Sequence, residues 1–245
     1  FSVLGFDIKK MLKGAAEISK VSENTDVRKN PALLTAFLQC EAMKKGCNVS
    51  VLMPYADSLK FMADFYCQIW AESLGKAVDL DGKTVNAGQT PAKSLGVTDQ
   101  HSQVQLYTEG PFDKVVTFLA VDKYRDTVVI TDDKDVDACD FLKNHTMNEL
   151  INAERKATEF ALKKAQRMNF TITLPEVNEE TIGELLMYFM YETAFAGALL
   201  NVDTFNQPGV EEGKKATFAM LGRKGYEAKM EEINAAPKKA DYIIG

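Results

Sequence analysis

Apolar positions follow two rhythms along the chain. Leu59, Met62, Tyr66, Ile69 and Trp70 recur at three- and four-residue steps, which predicts an amphipathic helix ending near Gly75 with Glu72 at its far end. Asn30-Pro31 supplies an N-cap and a first-turn proline for a second helix, "PALLTAFLQCEAMKKG", stopped at Gly46. Further helical patterns run from Met147 to Met168, from Thr181 to Leu200, after Pro208, and from Tyr226 to Ile233, before a tail that follows Pro237. The Thr181–Leu200 pattern is apolar enough to be buried on most sides. Short β-rich runs separate them: "NVSVLM", "DKVVTFLAV", "DTVVI" and "FTITLPEV". The second and third flank the turn-like "DKYR", and pair as a hairpin or lie as neighbouring strands. Alternating helices and strands with no internal repeat predict one α/β layered domain.

Composition narrows the function. With 46% hydrophobic residues in 245, the chain can bury a sizeable core. Thirty-five acidic against 29 basic residues, the lysines dispersed, argue against a nucleic-acid or anionic-membrane partner. A small anionic ligand, needing only a few local donors, stays compatible. Cys40, Cys47, Cys67 and Cys139 show neither CxxC spacing nor histidine pairing, so they read as reduced core thiols of a cytoplasmic protein and not as a metal site. No apolar run approaches the ~18 residues that span a bilayer.

Three stretches carry candidate chemistry. In "CQIWAESLGK", Gln68 and Glu72 are four residues apart and share a helix face. The negative end of the helix macrodipole disfavours an ionised carboxylate at Glu72, a bias that suits a general base working near neutral pH; a last-turn ion pair with Lys76 is the plainer alternative. In "TDQHSQVQLYTEG", Thr98 as N-cap would put His101 near N3, where helix donors keep an imidazole neutral and able to exchange protons with an oxygen. A structural or capping histidine fits equally, and His145 in "KNHTMNEL" has the same claim to a helix start. In "FNQPGVEEGKK", Gln207, Glu211 and Lys214 form one stripe, readable as a site or as a salt-bridged surface.

Taken together these stretches resemble the phosphoglucose isomerase family of bacterial type. "NVDTFNQPGVEEGKK" is similar to its C-terminal signature, although Asn206 stands where many members carry Asp; "ESLGK", "TDQHSQVQLYTEG" and "KGAAEI" follow in the family's order. The resemblance implies a three-layer αβα sandwich of SIS type with a largely parallel sheet, and a site at the carboxyl ends of its strands. It implies a glycolytic and gluconeogenic aldose-ketose isomerase, without metal or cofactor, interconverting glucose 6-phosphate and fructose 6-phosphate through a cis-enediol. Glu72 then shuttles the proton between carbons 1 and 2, and His101 assists ring opening from the neighbouring subunit of a homodimer. Lys214 stands near the ring oxygen, and Gln68 and Gln207 contact the substrate.

Family members are nearly twice as long. Residues 1–245 resemble one C-terminal SIS domain, with 1–4 a remnant of a preceding segment and the N-terminal SIS domain, with its phosphate grip, absent. The segment alone is therefore expected to be inactive. A non-catalytic phosphosugar-binding module and a dimerisation scaffold are the alternatives; Glu72, His101 and Lys214 occurring together favour the enzyme.

Overall fold

Val49–Pro54 (β1) carries Ser50 as its one hydroxyl residue in a mainly apolar run, and five of its six residues are buried. That is the pattern of a strand covered on both faces of a parallel sheet. The computed structural model describes residues 1–131 and 137–236. These fall into two units, Phe1–Thr204 and the chain from Phe205 onward.

In the first unit β1 pairs in parallel with Thr90–Lys93 (β4) on one side and Lys114–Lys123 (β5) on the other. Met168–Glu176 (β6) adds in parallel to β5, giving the order β4-β1-β5-β6. Lys76–Val78 (β2) and Thr84–Ala87 (β3) form a separate antiparallel pair.

Alternate side chains of the sheet feed two helical layers. Leu52, Leu119, Val121 and Leu174 pack with Pro31–Lys44 (α2), Lys60–Leu74 (α3) and Glu179–Leu199 (α6). Val51, Met53, Val116 and Phe118 pack instead with Tyr107 of Val104–Glu109 (α4) and Leu162 of Met147–Lys164 (α5). The three-layer α/β arrangement with a parallel sheet is thus the one expected. Ile8–Ser22 (α1) lies against α6, and only glycine permits the approach: a Cβ on Gly14 would come within 2.0 Å of the Glu180 carbonyl oxygen.

Most predicted elements form where the pattern placed them, with local reasons. Asn30 accepts from the Leu33 amide and caps α2. α6 starts at Glu179 because Asn178 and Thr181 build a capping box, and its outer side leaves Met190 and Leu199 about half exposed. α5 stops at Lys164, short of Met168, which already opens β6. The "DTVVI" run is not a sheet strand. Both edges of β5 are taken by β1 and β6, so Val129 makes only an isolated antiparallel bridge to Thr146, with Val128 and Val129 exposed. Cys40 and Cys47 are buried thiols, whereas Cys139 is exposed and not part of the core.

The second unit contains Pro208–Met220 (α7) and Glu227–Ala235 (α8). Phe218 and Tyr226 meet edge to face at 5.4 Å, with the Arg223 guanidinium over the Phe218 ring at 4.3 Å. The tail after Pro237 lies outside the described residues.

Candidate active site

α3 buries Met62, Ala63, Tyr66, Trp70 and Leu74. The period that hides those residues turns Gln68 and Glu72 outward together, one turn apart on an exposed face. Gly75 ends the helix, its amide donating to the Ala71 carbonyl. The plain alternative of a Glu72–Lys76 ion pair takes a different form here, because the Lys76 ammonium donates to the Glu72 backbone carbonyl at 2.7 Å.

His101 is placed differently from expectation. Thr98 does not cap a long helix; Thr98–Gln100 is a single 3-10 turn, His101 follows it, and α4 begins only at Val104. The reason is local: the Asp99 carboxylate takes the Leu95 amide (2.7 Å) and the Ser102 hydroxyl (2.9 Å), closing a tight loop before the helix can start. The turn is fastened to the sheet by Tyr55, whose hydroxyl donates to Gln100 at 2.5 Å, while the Gln100 amide donates to Glu154 of α5 at 3.3 Å. Gly96 lies flat on the Tyr55 ring, where any Cβ would come within 2.6 Å. The imidazole is exposed.

The two groups sit at opposite ends of the sheet. α3 leaves the carboxyl end of β1 and runs back, so that Leu74 and Gly75 arrive beside Gly88, two residues before β4 starts. Glu72 is therefore at the amino edge. The His101 loop continues from β4 at the other edge, where the Ser94 amide donates to Leu52 and the Gly96 amide to Pro54. A six-residue strand separates the edges by about 20 Å. His101 thus lies at the carboxyl ends of the strands, where the resemblance placed the site, and Glu72 lies at their amino ends.

Gln207 and Lys214 belong to the second unit. Gln207 precedes α7 without capping it, and Lys214 pairs with Glu211 at 2.8 Å, as the salt-bridged stripe alternative anticipated. His145 faces Glu149 at 3.3 Å beside the capping box that starts α5. Two concavities, about 340 Å³ among Phe1, Phe6, Met11, Arg125 and Asn178 and about 260 Å³ around Arg223 and Tyr226, include none of the candidates. Tyr55 and Gln100 escape a sequence reading because 45 positions separate them.

The profile of one family, phosphoglucose isomerase, matches residues 2–238. The chain belongs to the phosphoglucose isomerase family. The glucose-6-phosphate isomerase of Carboxydothermus hydrogenoformans is 52% identical over 99% of the chain and 53% of the relative. That of Rubrobacter xylanophilus is 41% identical over 93% and 51%. A hypothetical protein of Thermus thermophilus superposes with a TM-score of 0.83 at 34% identity, over 89% of this chain and 51% of that one. A glucose-6-phosphate isomerase from Chlamydia trachomatis, at 21% identity and a TM-score of 0.76, shares the fold. The chain spans about half the length of these phosphoglucose isomerase relatives.

Proposed function

We propose that this chain supplies the proton-transfer half of a glucose-6-phosphate isomerase, an aldose-ketose isomerase of glycolysis and gluconeogenesis acting in the cytoplasm. His101 helps open the sugar ring. Glu72 then removes the proton at carbon 2 of glucose 6-phosphate and returns it to carbon 1 through the cis-enediol, the proton staying on its carboxyl between the two steps. Lys214 stands near the ring oxygen, and Gln68 and Gln207 orient the substrate. The chemistry is proton transfer throughout, so side chains suffice.

The placement of Glu72 and His101 on opposite edges of one sheet carries this reading. A site that uses both takes them from two copies, so the enzyme works as a homodimer with shared sites. Among the described residues no helix is long and apolar enough to cross a membrane. A phosphosugar-binding module would need no base and would leave Glu72 dispensable.

The deciding experiment is complementation in the full-length protein that carries this chain. Glu72→Gln and His101→Ala are each expected to lose about 10²–10⁴ in kcat. Mixed and reassembled, the two variants should regain about a quarter of the turnover, the share of intact sites under random two-fold pairing. Wild-type turnover in Glu72→Gln would exclude the base, and a mixture that stays dead would exclude shared sites. The isolated 245-residue segment should turn over at least ~10²–10³-fold more slowly than the full-length protein.

A further inference from the structure

Lysine is among the residue types least often buried, yet Lys76 is only 6% exposed. It follows Gly75 directly, opens β2 and pairs with Ala87 of β3. Its ammonium donates to the carbonyl oxygen of Glu72 at 2.7 Å. That oxygen belongs to the last turn of α3, where carbonyls run out of intrahelical partners and the macrodipole is negative, so a cation satisfies both.

The charged groups facing the ammonium are Glu72 from α3 and Asp203 from the segment after α6; Ala87 of β3 brings none. Burial pulls the lysine below its ordinary range, and the two carboxylates pull it back. The Asp203 segment is itself anchored. Asn201 accepts from the Leu80 amide at 2.8 Å and its side chain donates to Asp81 at 2.9 Å, while Val202 is buried. Lys76 thus stands where three pieces of the first unit meet: the end of the helix bearing Glu72, the β2–β3 pair, and the strand of chain leading toward Gln207.

We propose that Lys76 is a positioning residue for Glu72: its ammonium fixes the last turn of α3, and Asp203 holds the ammonium in place. The inference rests on Glu72 being the base. A buried cation bonded to that carbonyl prevents the helix end from fraying, and the carboxylate of the same residue keeps its direction toward the substrate. A displacement of about 1 Å at a reacting group can cost roughly 10²-fold in rate, which sets the scale of the effect.

The test uses Lys76→Met, Lys76→Arg and Glu72→Gln in the full-length protein that carries this chain, with fructose 6-phosphate as substrate. Lys76→Met is expected to lower kcat by roughly 10- to 10²-fold with KM little changed. Lys76→Arg should return most of kcat, because the guanidinium can still donate to the Glu72 carbonyl. Wild-type kcat in folded Lys76→Met, or an arginine variant no better than methionine, overturns the proposal. Should Lys76→Met fail to fold, Asp203→Asn replaces it: a lower kcat at constant KM supports the role, and unchanged kcat overturns it. Glu72→Gln separates the two layers of inference. Wild-type turnover in that variant overturns the base itself, whereas a dead Glu72→Gln beside an indifferent Lys76→Met overturns the positioning role alone.

Discussion

The amino edge of the sheet and its carboxyl edge hold their candidate groups by different means. Glu72 rides on a 15-residue helix clamped by aromatic packing, with Tyr66 stacked on Trp70 at 5.4 Å and tilted against Phe189 at 5.2 Å. His101 rides on a short turn held by polar clasps from Asp99, Gln100 and Tyr55. A helix with a packed face transmits core rigidity to its exposed face. A turn held by a few hydrogen bonds is fixed only as firmly as those bonds, each worth about 0.5–1.5 kcal/mol net. The difference suits the roles proposed for the two groups: removing a carbon-bound proton demands a fixed base, and exchanging protons with a ring oxygen tolerates more play.

The sharpest way to break the comparison is to loosen the packed edge. Trp70→Ala should cost about 3–5 kcal/mol of stability, read from denaturant midpoints, because a fully buried indole leaves a cavity behind α3. An effect below about 1 kcal/mol would mean that aromatic packing does not hold that edge.

A second prediction uses pH. Glu192 of α6 is fully buried in the same helical layer, its Oε2 without a hydrogen-bond partner among the described residues. Burial pushes its carboxyl up to about 8, with the Thr35 side chain pulling the other way. Tyr66 of α3, Tyr188 of α6 and Cys40 of α2 are the titratable neighbours that sense it. Because the folded state holds this proton more tightly than the unfolded chain, the stability from Glu192 is fully present below about pH 4.5. It is lost as pH rises through about 8. Glu192→Gln should flatten the decline in unfolding midpoint between those values; an unchanged slope would assign the decline elsewhere.

The smallest effects belong to the turn. Tyr55→Phe removes the donor to Gln100 and should cost about 1 kcal/mol, with turnover reduced through His101 and not through Glu72. Its kcat loss should vanish in a His101→Ala background while persisting in Lys76→Met. Asn30→Ala, which uncaps α2, should cost a similar ~1 kcal/mol and leave turnover per folded molecule unchanged.

Legibility in the sequence followed the range of the forces involved. α2, α3 and β1 were readable because caps, glycine stops and apolar periods act within a few residues. "DTVVI" misled because its β propensity is local, whereas its exclusion from the sheet depends on β5 already being paired on both sides. The His101 turn misled similarly: Thr98 is a good cap in principle, but Asp99 competes for the local amides and wins.

By itself the sequence determined that Gln68 and Glu72 share an open helix face, since the helical period alone decides it, and it carried the family motifs. Only the tertiary structure decided that this face lies at the amino edge while His101 lies at the carboxyl edge. The path of α3 back along a parallel sheet follows from strand pairing between residues far apart in the chain. Only the fold, too, buries Lys76 against the end of α3: Glu72 is four residues away, but Asp203, the other charge acting on the lysine, is 127 positions away in sequence.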